Sequence, residues 1–226
     1  MAALSKTKLC CNEGEVPSPS NIKGRSSMYK KQMTFQRVIC FAVLIASALI
    51  FVYSLGLMTD LQCIYSTSVI RDVSDLDSSR VPGARIYYDM QEFNSQLTVV
   101  GIGLIIVSLA LFVTCTHSRR KYYIGNYVSV GIVTVCNIAA AVWTVAGVST
   151  YREQYLQMDF EALKQWLERK NASDLYTDSP LWFDMGYVVC GILLFVTVLL
   201  IVNLVLKIIV MKEEKRLIGS RKDVIA

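Results

Sequence analysis

Seven cysteines, a single histidine and one Asn-x-Ser/Thr tripeptide are the features of this chain with the most chemistry to offer. His117 has no second histidine to share a metal with, and the sequence holds no HExxH, paired-cysteine metal motif or nucleophile elbow. Asp75-Leu76-Asp77 hints at calcium, but the central Gly and terminal Glu of a twelve-residue calcium loop are missing. General acid–base chemistry needs titratable groups held together in a pocket, and no constellation here offers one. The expectation is a protein that is not an enzyme and carries no cofactor or metal.

The cysteines fall into three groups. Cys10 and Cys11 are adjacent in a basic N-terminal segment, where lysines are drawn to anionic lipid, so they are candidates for palmitoylation; the alternative is a pair of unmodified thiols. Cys40, Cys115, Cys136 and Cys190 lie within or at the ends of long apolar runs. Cys63 stands by itself in a polar stretch, either buried and free or paired with another chain.

Those apolar runs organise everything else. Of all residues, 54% are hydrophobic, more than in an ordinary soluble domain, and 18% are charged. Charge is absent from 38–58, 97–116, 123–151 and 185–206. Each run is about 20 residues or longer, enough helix to cross roughly 30 Å of hydrocarbon, and lipid tolerates no open strand. The expected fold is an all-α integral membrane bundle of four transmembrane helices with a short amphipathic helix in the second outer loop. The first run starts too late for a cleaved signal and reads as a retained anchor, while 1–37 reads as a disordered tail.

Charge sets the orientation. The tail 1–37, the connection 117–122 and the tail 207–226 together hold 16 basic and 5 acidic residues. The loops 59–96 and 152–184 hold 7 basic and 13 acidic residues. Lys and Arg are retained on the cytosolic side, so both tails and the short connection are expected there, with both longer loops outside. The net charge of +5 thus reflects topology and implies no nucleic acid. Asn171-Ala172-Ser173 is the one glycosylation sequon, and it lies in the second outer loop.

In that loop Leu156, Phe160, Leu163 and Leu167 recur at helical spacing, with Trp166 alongside. The stripe either packs on the first loop or the headgroup layer, or forms an outward face for a partner. Asn137 and Asn203 are polar residues inside spans that suit interhelical hydrogen bonds. Small residues recur at Ala42 and Ala46, at Cys136 and Ala140, and at Gly101 and Gly103. They fit close packing within the bundle or a dimer face.

Three local features resemble the MARVEL-type four-pass proteins, within them the synaptogyrin and synaptophysin branch. Arg37-Val38-Ile39-Cys40 opens the first span; Cys63-Ile64-Tyr65 sits early in the first outer loop; Trp143 and Tyr151 mark the third span. The chain departs from that branch in lacking a companion for Cys63 and a tyrosine-rich C-terminal tail. Claudin-like and tetraspanin cysteine patterns are absent too. The resemblance implies a non-catalytic organiser or trafficking protein of vesicle or plasma membranes, with lipid and other membrane proteins as partners. The rival readings are an auxiliary subunit of a channel or receptor and a small channel formed as a homo-oligomer.

Asn171 is expected to be the sole N-glycosylated residue. Endoglycosidase should shift the band of the wild-type chain, and Asn171→Gln should reproduce that shift. Unchanged mobility in both would leave the sequon unused.

Overall fold

The structure, a computed structural model, describes residues 19–66, 84–116, 123–169, 171, 173, 176 and 178–223. Within them the chain forms α1 (Pro19–Ser66), α2 (Ala84–Thr116), α3 (Tyr123–Leu156), α4 (Phe160–Arg169) and α5 (Leu181–Asp223). Four of these are long and apolar enough to cross a membrane, over Gln32–Gly56, Asp89–Cys115, Asn126–Leu156 and Leu181–Val210. The chain is a four-pass integral membrane protein with one short helix between its third and fourth spans.

The helices run past the charge-free windows. α1 starts at Pro19, so 19–37 are helical where the composition predicts a disordered tail. Nucleating a helix is the costly step, and extending an existing one through Lys, Gln, Met and Arg costs little. α5 similarly continues to Asp223.

The spans pack in a ring, α1 on α2, α2 on α3, α3 on α5 and α5 on α1. Gln36, Cys40, Val43, Ser47, Ile50 and Ser54 are buried on α1 in alternating steps of four and three, flanked by the buried Ile39, Ala46 and Tyr53. On α2 Met90, Asn94, Leu97, Leu104, Ser108, Leu111 and Cys115 follow the same rhythm. A repeat of 3.5 keeps one seam facing the neighbours, as in left-handed bundles. The opposite faces carry Phe41, Ile45, Val52, Ile106 and Val135, all exposed on the bundle surface. Large apolar side chains therefore lie on both faces, whereas Ser47, Ser108, Asn137, Thr144 and Thr197, deep in the spans, are buried.

The polar contacts between spans are specific. Ser47 and Ser108 hydroxyls meet at 2.8 Å across α1 and α2, and Thr98 donates to Ser54 at 3.1 Å. Asn137 donates from Nδ2 to Thr197 at 3.0 Å across α3 and α5. Asn203, the other expected hydrogen-bonding asparagine, is buried, but its Oδ1 has no partner among the described residues.

Only one of the two neighbouring glycines on α2 is a contact point. A Cβ at Gly101 would lie 2.9 Å from the Phe51 Cα on α1, whereas one at Gly103 would meet nothing within 4 Å. Gly101→Ala should therefore push two backbones apart and lower stability in detergent by about 1–2 kcal/mol, even after the gain in helix propensity. Gly103→Ala should be neutral or stabilising by up to about 1 kcal/mol. Denaturation midpoints of the two variants check the contrast, and equal shifts would contradict this packing.

Candidate functional site

At the end of the bundle that carries the loops, the sequence turns sharply between α3 and α4. Asp159 accepts the Ala162 N–H at 3.0 Å, capping the first turn of α4, with Glu161 in that turn and Arg169 in the last. Tyr155 anchors the turn, its ring 5.1 Å from that of Phe160 and 5.3 Å from that of Phe183. Asn171 follows the far end of α4 with φ 52°, and its N–H donates to the Glu168 carbonyl at 3.1 Å. Asn tolerates this left-handed turn better than most residues. The carboxamide of Asn171 sits on an exposed residue.

The predicted apolar stripe divides at this turn. Leu163 and Leu167 are buried, at 5% and 3% exposure, and Phe160 packs against the main core. Trp166 is half-buried. Leu156 belongs instead to the last turn of α3 and is 50% exposed. The helix read from spacing thus begins later than the stripe, because Asp159 interrupts it as a cap.

Beside this end, α2 and α3 enclose a groove of about 570 Å³. Asp89, Glu92, Phe93, Trp143 and Tyr151 line it, together with Gln154. The Phe93 ring stands 5.0 Å from Trp143 and 5.4 Å from Tyr151, and Tyr151 donates to the Asp89 carbonyl oxygen at 3.2 Å. Gly147 lets this happen: a Cβ there would run into the Phe93 ring. Both charged residues lining the groove are acidic, and carboxylates beside aromatic faces suit a cationic group. Arg85 sits on the rim, 3.6 Å from Asp89.

The opposite end of the interior holds a different chemistry. Cys40 donates to the Cys115 sulfur at 3.2 Å, and Cys115 donates to Asn126 Oδ1 at 3.0 Å. Lys207 is 6% exposed, and its Nζ lies 5.6 Å from the centre of the Tyr127 ring, a cation–π contact. Gln36 is buried beside them with its Oε1 unpartnered among the described residues. Charge counting assigns Lys207 to the C-terminal tail, whereas here it turns into the bundle. Its spacing of seven from Leu200 and fourteen from Leu193 is the signal that would have found it.

His117, Cys10 and Cys11 lie outside the described residues, and Cys63 falls in the helical segment α1. Comparison with family models, with curated proteins and with solved structures finds no match to this chain.

The burial pattern separates two leucines of the stripe. Leu163→Ala should cost about 2 kcal/mol or more in folding stability, and Leu156→Ala less than about 0.5 kcal/mol. Unfolding midpoints of the detergent-solubilised variants measure this. Equal tolerance of both would mean that α4 does not dock through Leu163.

Proposed function

We propose that this chain is a non-catalytic four-pass protein that organises or carries components of plasma or vesicle membranes. Both tails and the connection 117–122 lie in the cytosol under this reading, and the loops lie outside. The observation that supports it is the burial of large apolar side chains along the bundle interior among the described residues. Between the thiol cluster and the Ser47–Ser108 pair, Val43 and Leu111 fill the bundle; between Asn126 and Asn137, Val130 and Val133 do the same. Leu97, Leu193 and Leu200 are fully buried as well. One chain packed this way offers contacts and surface, not a wet path, which weighs against a channel formed by a single bundle.

One observation favours a second reading, an auxiliary subunit of a channel or receptor. The acidic, aromatic groove between α2 and α3 opens on the surface of the bundle, where a basic side chain of a partner would find complementary charge. Chemical cross-linking in native membranes followed by affinity purification distinguishes the two. Organiser activity predicts several substoichiometric membrane or vesicle proteins linked to the tails and loops. An auxiliary subunit predicts one stoichiometric partner linked near Glu92 and Gln154. A homo-oligomer with conductance in planar bilayers, and no other protein, would overturn both.

A further inference from the structure

The thiol cluster between α1 and α2 has no part in the role proposed above, yet it is the most chemically loaded place in the interior. Two cysteines from different spans touch at 3.2 Å, and both are buried. A disulfide needs about 2.05 Å between sulfurs, so closing the gap asks for movement of roughly 1 Å, within the reach of side-chain torsions. The polar groups around them are not those of an inert apolar core. Cys115 bonds to the Asn126 carboxamide, and Lys207 is buried at the same end, over the ring of the adjacent Tyr127. Gln36, also fully buried, keeps Oε1 unsatisfied at the same end.

We propose that Cys40 and Cys115 are a redox-reactive pair that forms an interhelical disulfide, tying α1 to α2 at the tail-bearing end. The oxidant is a hydroperoxide, which for hydrogen peroxide is small and neutral enough to reach a buried thiol. Cys115 is the attacking sulfur, since it already accepts the Cys40 S–H and lies against the Asn126 carboxamide. Its sulfur bonds to one peroxide oxygen, the O–O bond breaks, and the departing hydroxide takes up the thiol proton as water. The resulting sulfenic acid lies against Cys40. The Cys40 sulfur displaces the sulfenic hydroxyl, the S–S bond forms, and a second water leaves with the Cys40 proton. Two thiols are oxidised by two electrons and one hydrogen peroxide is reduced to two waters. A small thiol reverses the step by exchange, ending as its own disulfide.

The other two thiols of the spans give the internal control. Cys190 is buried on α5 and Cys136 is half-buried on α3. Neither shares a hydrogen bond with another cysteine among the described residues.

Membranes containing the full chain are treated with hydrogen peroxide, blocked with N-ethylmaleimide and digested without reduction. The expected result is a linked peptide joining Cys40 to Cys115, with neither of the two carrying an N-ethylmaleimide adduct and both thiols recovered by dithiothreitol. Cys40→Ser and Cys115→Ser should each lose that peptide, and Cys190→Ser should keep it. The wild-type map decides the matter even if a variant fails to fold. Both thiols still reactive to N-ethylmaleimide, both carried to sulfonic acid unlinked, or a linkage to any other cysteine would overturn the proposal.

Discussion

Hydrocarbon offers no hydrogen-bond partner, so a hydroxyl or carboxamide on a spanning helix is stable only against another part of the protein. Lipid tails are as apolar as Leu, which removes the hydrophobic drive that sorts faces in water. What remains to orient four helices is a small set of polar groups and close backbone approaches. Ser47 against Ser108 fixes α1 on α2, and Asn137 against Thr197 fixes α3 on α5. Gly101 lets α2 come up to the backbone of Phe51, and Gly147 makes room for the Phe93 ring. Once those faces are set, the 3.5-residue repeat carries the same seam along the full span. Each such hydrogen bond contributes roughly 0.5–2 kcal/mol, small singly, but no competing force turns the helices elsewhere.

The two ends of the interior then diverge. The loop-bearing end is aromatic: Tyr155 ties α3 to Phe160 of α4 and Phe183 of α5, while Phe93 stacks toward Trp143 and Tyr151. Rings with polar tips suit the boundary between hydrocarbon and water. Arg152 and Asp184, 3.3 Å apart, add an ion pair between α3 and α5 there. At the tail-bearing end the same helices bring together thiols, amides and Lys207. Apolar layers around Val43, Leu111 and Val133 keep the two chemistries apart. Among the described residues, the bundle surface is apolar over Phe41, Ile45, Val52, Ile106 and Val135 and acidic at the α2–α3 groove.

The spans were plain in the sequence because charge must leave a stretch before it can enter lipid, and that rule is close to absolute. Which face of each span turns inward was not, since Val38, Phe41 and Ile45 are as apolar as Ile39, Val43 and Ile50. The legible clue was polar: Asn137 stood out in the third span and does bridge to Thr197. The inward turn of Lys207 is not legible, because a basic residue at the end of a span reads as the start of a cytosolic tail. Its inward turn depends on Tyr127 of α3, a contact that only the assembled bundle provides. The division of the outer stripe is hidden for a local reason. Asp159 is a helix cap as well as a charged residue, so periodicity ran through it from Leu156 to Phe160. The thiol pair could not be read at all, because Cys40 and Cys115 are 75 residues apart.

Polar and small residues, and not hydropathy, decide which face of each helix meets lipid. Carbene footprinting with a diazirine-bearing lipid in reconstituted bilayers reads that face residue by residue on the wild-type chain. Along α1 labelling is expected at Phe41, Ile45 and Val52 and protection at Val43, Ser47 and Ile50, with matching protection at Ser108 on α2 and Thr197 on α5. Labelling of Ser47, Ser108 and Thr197 to the same degree as Phe41 and Ile45 would contradict it.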